Sequence, residues 1–422
     1  MKIGIDIRAT QLGGSGERGI GRYTYDLVHG LAKEAPENEY ILIATPEHPI
    51  PAALPFLPSC CRIAMLPTRF MGDFTWGQPI PKVWRLRYLR FQKEHEAGLR
   101  HLVQRERLDV IHLTSSFEPR FFAGVNVHCP VVMTLYDLIP LAFKDEIYLN
   151  WPEATRYVYQ LQLASFRRAN AVAAISESAR QDGIKHIGLS PDRVHVVPCT
   201  IASQFTPFSD EERGAARTQC RERFGLRHPF FLFCSGAGFT KNRDRVLEAF
   251  ARFADQHSPN YHLVFTGPSG GDEDRLRLMA FNLGLSAKQF VLAGYVSNEE
   301  LVTLFGGALA LVTPSLYEGF GLPAAQAMRM GTPVIASDRS SHPEVVGDAG
   351  LQVDPYNVEA IMQAMLQIAK DSGLRARLSQ AGQQRAERFR PENQARALLD
   401  VYQKAVAASE PPERRTVASA RV

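Results

Sequence analysis

Cysteine is scarce and unpatterned in this 422-residue chain: Cys60, Cys61, Cys129, Cys199, Cys220 and Cys234, with no C-x-x-C among them. That excludes a disulfide-stapled scaffold and leads us to expect a reducing compartment, the cytoplasm. The twelve histidines form no H-E-x-x-H and no Cys/His cluster, so no metal site is expected. No run approaches the ~18–20 apolar residues of a membrane span. The opening Met1-Lys2-Ile3-Gly4-Ile5-Asp6-Ile7-Arg8 meets charge before any apolar segment develops, unlike a secretory signal. An excess of one charge is missing too: 48 Lys plus Arg against 44 Asp plus Glu leave +4, too little to imply a nucleic-acid partner. There is no internal repeat.

What is present is the composition of a globular protein, 45% hydrophobic and 22% charged. At ~150 residues per domain the length suggests two or three domains. Short apolar runs alternate with amphipathic stretches, the rhythm of βαβ units and a parallel sheet. Strands are expected at Ile3–Ile7, Tyr40–Ala44, Val110–Leu113, Val131–Tyr136, Ala171–Ile175 and Val194–Val197. A linker-like run from Pro198 to Pro207 follows, and the pattern restarts with Phe230–Cys234, His262–Thr266, Phe290–Leu292, Leu309–Val312, Val334–Ala336 and Leu351–Val353. The expected fold is α/β, two doubly wound halves facing a cleft: 1–200, then 208–385. Helices over 386–408 and a frayed tail over 409–422 complete it.

Three segments could carry chemistry. The first loop, from Gly13 to Tyr23, is glycine-rich between a strand and a helix, suited to an anion or to a flexible turn. The second, Cys234-Ser235-Gly236-Ala237-Gly238-Phe239-Thr240-Lys241-Asn242-Arg243, places Lys241 at a helix entrance, as an anion ligand or a surface lysine, with Arg243 a second cation. The third, Pro314-Ser315-Leu316-Tyr317-Glu318-Gly319-Phe320-Gly321-Leu322-Pro323, puts Glu318 at the carboxyl end of a strand, where ligands of open α/β sheets bind. Gln326 follows about one helical turn in. Asp137 also ends a strand, and Glu344 reads as structural. Between Thr68 and Arg107, nine basic residues against four acidic ones are interleaved with Phe70, Phe74, Trp76, Trp84, Tyr88 and Phe91. This is either a solvated helix with a core stripe or a surface for an anionic membrane.

The blocks Tyr317–Pro323, Ala327-Met328, Gly331–Ile335 and Pro343–Ala349 resemble those of the retaining GT4 glycosyltransferases of GT-B fold. Gly294–Ser297 with Glu299–Leu301, Asp137–Leu141, Ala174–Ser178 and Gly19–Tyr23 are similar to the same family, in its order. The resemblance implies two Rossmann-like domains, a sugar-nucleotide donor, no cofactor or metal, and transfer with retention to a saccharide or lipid-linked acceptor. It implies that final helices cross back to the first domain. By position it assigns Lys241 to the donor diphosphate and Glu318 to hydroxyls of the donor sugar, with Gly236, Asn242 and Arg243 as further donor-binding candidates. Gly319, Phe320, Gly321 and Leu322 would contribute backbone amides, and Gly19 and Gly21 would face the diphosphate. Tyr295 and Val296 would meet the base, Gln326 the ribose, and Tyr136 and Asp137 the transferred sugar. Gln326 stands where the family has a second glutamate, and Tyr136 where it often has histidine. The expected function is hexosyl transfer, mannose from GDP-mannose, in polysaccharide or glycolipid synthesis at the cytoplasmic face of a membrane. A silent scaffold of the same fold and a nucleotide-sugar epimerase are the rival readings.

Overall fold

The computed structural model describes residues 1–12, 19–51, 58–67, 84–117, 126–267 and 271–409, with backbone only at 84–87. These divide into two compact units, Met1–Thr200 with the chain from Pro391 onward, and Ile201–Arg390.

The first unit is a parallel sheet of β1 (Lys2–Asp6), β2 (Glu39–Ala44), β3 (Cys61–Met65), β4 (Val110–Leu113), β5 (Val131–Leu135), β6 (Ala171–Ala174) and β7 (Val194–Val196). The order is β3-β2-β1-β4-β5-β6-β7, so the direction of winding reverses between β1 and β4. Strands buried on both faces need near-continuous apolar runs, and β4, β5 and β6 are buried throughout. The helices interleaved with them are α1 (Gly19–Glu34), α2 (Trp84–Glu106), α3 (Ile139–Ala142), α4 (Glu153–Arg168) and α5 (Glu177–Asp182).

The second unit is built the same way from β8 (Phe230–Cys234), β9 (His262–Thr266), β10 (Phe290–Gly294), β11 (Ala310–Thr313), β12 (Val334–Ser337) and β13 (Leu351–Val353), in the order β10-β9-β8-β11-β12-β13. Its helices are α6 (Asp210–Phe224), α7 (Arg243–Gln256), α8 (Glu273–Asn282), α9 (Asn298–Gly307), α10 (Leu322–Arg329), α11 (His342–Val345), α12 (Val358–Lys370) and α13 (Ser372–Ala386). Helix α7 shows why they form: Val246, Leu247, Phe250 and Phe253 recur at helical spacing and are all fully buried. Each is worth roughly 1.5–3 kcal/mol of apolar burial.

Two elements differ from expectation. Strand β3 is an edge strand with alternating exposure, without the apolar run that marks the others. Helix α6 buries only Ala216 and Cys220, so its charged sequence shows no apolar stripe. It is fixed instead by a capping box between Ser209 and Glu212 and by left-handed Gly225 at its end. Of the segment 386–408 expected to be helical, Arg390 is extended, and α14 (Pro391–Ser409) belongs to the first unit. Residues 410–422 lie outside the described residues.

Helix α14 is seated on the first sheet by one polar contact inside an apolar face. Leu398, Val401 and Ala405 are buried, and fully buried Tyr402 places its hydroxyl 2.8 Å from Nδ1 of His112 on β4. Nε2 of His112 lies 2.8 Å from the Thr134 hydroxyl, so both ring nitrogens meet groups that can donate or accept. Burial pushes the His112 pKa down to about 3. Its unfolded value is near 6.5, so the unfolded chain binds the extra proton. The contribution of neutral His112 is therefore full above pH ~6.5 and is lost as pH falls toward 3. We expect Tyr402→Phe to cost about 1–3 kcal/mol and to release α14 first, seen as faster amide hydrogen exchange in 391–409 than in β4 and β5.

Candidate active site

In the second sheet the winding reverses between β8 and β11, so the loops that leave these neighbouring strands part at their carboxyl ends. One carries Lys241 and the other Glu318. They are stitched together below the site. The Leu316 N–H donates to the Thr240 carbonyl at 2.7 Å. The Asn242 carboxamide donates to the carbonyls of Pro314 and Pro355, at 2.8 and 2.6 Å. Asn242 is buried and left-handed (φ 64°), a conformation asparagine tolerates better than most residues. Both of its N–H donors are spent on backbone, so it positions Lys241 and does not itself offer its side chain to a ligand, as the sequence had led us to expect.

Lys241 Nζ meets Glu318 Oε2 at 2.7 Å, and Ser315 donates to Oε1 at 2.8 Å. The two side chains stay partly open, at 24% and 13% exposure. The Ser340 hydroxyl accepts from the Glu318 N–H at 2.8 Å and donates to the Glu318 carbonyl at 2.6 Å, and Ser341 donates to the same carbonyl at 3.0 Å. Burial pushes the Glu318 pKa up, but Lys241, then His342, and the hydrogen bonds from Lys241 and Ser315 bring it below the usual carboxylate value. Glu318 is therefore a carboxylate at neutral pH, an acceptor and not a proton donor.

His342 lies beneath this loop at 1% exposure. Gly321 is left-handed (φ 86°), and a Cβ there would stand 2.9 Å from His342 Cδ2 and 3.0 Å from Nε2, so only glycine lets the loop pass over the ring. Gly321 caps α10 and Pro323 sits in its first turn, leaving the helix N-terminus beside Glu318. The ring of Phe320 is buried edge-on against Phe389, so what this stretch (Gly319, Phe320, Gly321, Leu322) can present to a ligand is backbone. Gln326 lies one turn into α10, half-buried, and its carboxamide has no hydrogen-bond partner among the described residues. Gly236 is half-buried in the loop after β8, and Tyr295 is exposed beside Val296 where β10 ends.

Arg243 departs from expectation. It is buried, bonded to Asp272 at 2.8 Å and to the Ala237 carbonyl at 3.2 Å, so its charge is already matched and it braces the loop. Sequence reading missed Ser315, Ser340, Ser341 and His342. The block Arg339-Ser340-Ser341-His342-Pro343-Glu344 was read only for Glu344, whose carbonyl here accepts from Arg385. The available signal was a run of hydroxyl residues at the end of strand β12.

The remaining candidates lie in the first unit. Gly19 (φ 52°) opens α1 with nothing within 4 Å of where its Cβ would be, and Gly21 is buried. Residues 13–18 of that loop are outside the described residues. Tyr136 packs edge-on against Tyr23 of α1 and donates to the Thr114 carbonyl at 2.9 Å. Burial holds its pKa well above 10, so it is a neutral phenol with its proton engaged, not an acid–base group. Asp137 Oδ1 accepts from the Ile139 N–H at 3.1 Å, turning the chain into α3. In α2, Tyr88 and Phe91 are core residues and Arg90 pairs with Glu94, which corrects the membrane reading of those aromatics. Residues 68–83, with Phe70, Phe74 and Trp76, lie outside the described residues, as does the Trp84 side chain. No described helix is long and apolar enough to cross a membrane.

Two parallel α/β units, each wound outward from a central pair of strands, are those of the GT-B fold. The structure of sucrose-phosphate synthase from Thermosynechococcus elongatus superposes with a TM-score of 0.74 at 19% identity, over 97% of this chain and 100% of that one. The family model for Glycosyltransferase Family 4 matches residues 18–205, and that for Glycosyl transferases group 1 matches 218–385. The chain belongs to the GT4-type glycosyltransferases. It is similar to the serotype-specific mannosyltransferase WbdA of Escherichia coli, 25% identical over 97% of this chain and 49% of that protein. It also resembles the O-antigen chain mannosyltransferase B of Escherichia coli, 29% identical over 68% of this chain and 74% of that protein. The chain spans about half the length, or less, of the WbdA relatives it matches.

The stitching role of Asn242 can be tested without a substrate. Asn242→Ala should destabilise the second unit by about 2–4 kcal/mol, by orphaning two buried carbonyls in a left-handed backbone. Asn242→Asp should be no better, because a carboxylate would face the same carbonyls. Denaturant unfolding of both variants against the parent measures this.

Proposed function

We propose that the chain is a retaining, metal-independent hexosyltransferase that moves mannose from GDP-mannose to a saccharide or lipid-linked saccharide. In this reading it needs no cofactor beyond the donor and acts in the cytoplasm in polysaccharide synthesis. The observation that carries the reading is the Lys241–Glu318 pair at the β8/β11 switch point. The mannosyl and polysaccharide parts are supported by the names of the Escherichia coli relatives. Contact of residues 68–107 with an anionic bilayer stays part of the proposal through cations alone, such as exposed Lys93, and not through the aromatics of α2.

The chemical problem is to break the bond between the anomeric carbon and the diphosphate. The electron pair goes to the leaving phosphate oxygen, while positive charge grows on the sugar. In this reading Lys241 and the N-terminal ends of α7 and α10 stabilise the first charge. Glu318, held as a carboxylate, accepts hydrogen bonds from hydroxyls of the donor sugar and fixes its orientation. The acceptor hydroxyl attacks the same face. Its proton passes to the departing phosphate, so a glycosidase-like carboxylate pair is not needed. Gln326 offers an unengaged amide to the ribose.

The test is a thermal-shift panel of GDP, UDP, dTDP, ADP and their sugar conjugates, followed by transfer assays. A ligand at ~100 times its dissociation constant adds about 2.7 kcal/mol to the stability of the folded state. GDP and GDP-mannose should give the largest shift. Lys241→Ala should cut turnover by about a hundredfold or more, with the circular dichroism of the parent, and Glu318→Ala should do likewise. Normal turnover in both variants would refute the site, and no shift with any nucleotide would favour the silent scaffold.

A further inference from the structure

We propose that His342 is the proton-accepting partner of the donor site. When the diphosphate of a sugar nucleotide draws Lys241 off Glu318, the imidazole of His342 takes up one proton and becomes the counter-charge of that carboxylate. This rests on the reading of Lys241 as the cation for the diphosphate.

Three observations lead to it. The first is geometric. His342 is fully buried, and the edge carrying Nε2 is turned to Gly321, three residues beyond Glu318 in the same loop. The second is an imbalance. Nε2 has no hydrogen-bond partner among the described residues, while Nδ1 faces the Ser337 hydroxyl only at 3.5 Å. A buried polar atom left unmatched beside a binding loop costs stability in the empty state, which a change on ligand binding can recover. The third is electrical. The charged groups that act on the ring are Glu318, from the loop after β11, which favours its protonation, and Lys241, from the loop after β8, which opposes it. On its own segment, Glu344 is two residues on, and Arg339 pairs with Asp338 and Asp354.

While Lys241 pairs with Glu318 the ion pair is internally neutral, and burial holds His342 neutral with a pKa of about 4. A sugar nucleotide brings two ionised phosphates. Lys241 then answers to them, its repulsion of the ring is cancelled, and Glu318 is left with the sugar hydroxyls and one buried neighbour able to take a charge. The proton comes from solvent and goes to whichever ring nitrogen lacks one in the neutral imidazole, leaving both nitrogens as donors. No bond is made or broken beyond that N–H. Since binding takes up a proton, donor affinity must rise as pH falls, by at most about tenfold per pH unit for one proton.

The experiment is calorimetric titration of the full chain with GDP-mannose, and with UDP-glucose as a second titrant, between pH 5.5 and 7.5. Buffers of different ionisation heat are used at each pH. Neither sugar nucleotide has a group that titrates in this range, so the buffer dependence counts protons taken by the protein. The parent should show net uptake that grows toward pH 5.5, and His342→Gln should bind with none. Zero uptake by the parent overturns the proposal. Equal uptake in His342→Gln assigns the proton to Glu318 and overturns it as well, leaving the donor site standing. If that variant does not fold, the histidine carbon NMR signals of the parent decide. One strongly depressed imidazole must titrate higher with donor bound, and its absence overturns the proposal. Binding of neither titrant overturns the donor-site reading itself, and the proposal with it.

Discussion

The ion pair between Lys241 and Glu318 joins residues 77 apart in sequence, and the second unit is arranged so that they can meet. Parallel strands need crossover helices, and the hand of these crossovers is fixed. A sheet wound outward in both directions from β8 and β11 must therefore send the loops after those two strands apart, with a crevice between them. Everything nearby holds the crevice in shape: the Thr240–Leu316 bond, the Asn242 bridge to Pro314 and Pro355, and the two serines clamping the backbone of Glu318. A partly buried ion pair is a poor source of stability, because desolvation roughly offsets the attraction. Its value here is that both partners are held in place, ionised, and still reachable.

Much of this frame was legible in the sequence. The buried strands of both sheets announce themselves as short apolar runs, and the block from Tyr317 to Pro323 marks a strand end followed by a helix start. The elements that escaped have a common cause. Strand β3 is half-exposed, and α6 touches the core through two small side chains, so neither writes an apolar period into the chain. Within the site, residue type did not separate ligand from brace. Asn242 and Arg243 adjoin Lys241 and carry suitable donors, yet the Asn242 carboxamide is spent on Pro314 and Pro355, and Nη2 of Arg243 on Asp272 and Ala237. Only the fold shows which donors are spent. The serines and His342 arrive from the end of β12, some twenty residues beyond Glu318, and no local spacing links them to it.

The buried imidazoles illustrate the same distinction. His112 is satisfied at both nitrogens by hydroxyls and ties α14 to the sheet. His95 takes a hydrogen bond from Arg8, a fully buried guanidinium that also grips both oxygens of Asp6. That cluster clips α2 to the end of β1, and a buried charge pair so fully bonded fixes one arrangement of its elements. His342 differs from His112, since its Nε2 has no hydrogen-bond partner among the described residues, and Nδ1 of His95 is unmatched in the same way. Histidines of nearly equal burial thus differ in hydrogen-bond satisfaction, complete for His112 and half-complete for His95, which sequence does not report.

In the proposed reaction, donor binding is an exchange of partners rather than a simple gain of contacts. Lys241 gives up a carboxylate for a diphosphate, and Glu318 gives up a cation for sugar hydroxyls, so one charge-assisted bond replaces another on each side. Little of that exchange appears as affinity for the intact donor. Its effect falls later, because the leaving phosphate gains charge as the anomeric bond stretches while the Lys241 charge stays fixed and already oriented. An interaction that strengthens along this coordinate lowers the barrier, whereas one of constant strength would only hold the substrate. The Lys241–Glu318 pairing fits that requirement: it keeps the lysine positioned without committing it to an irreplaceable partner.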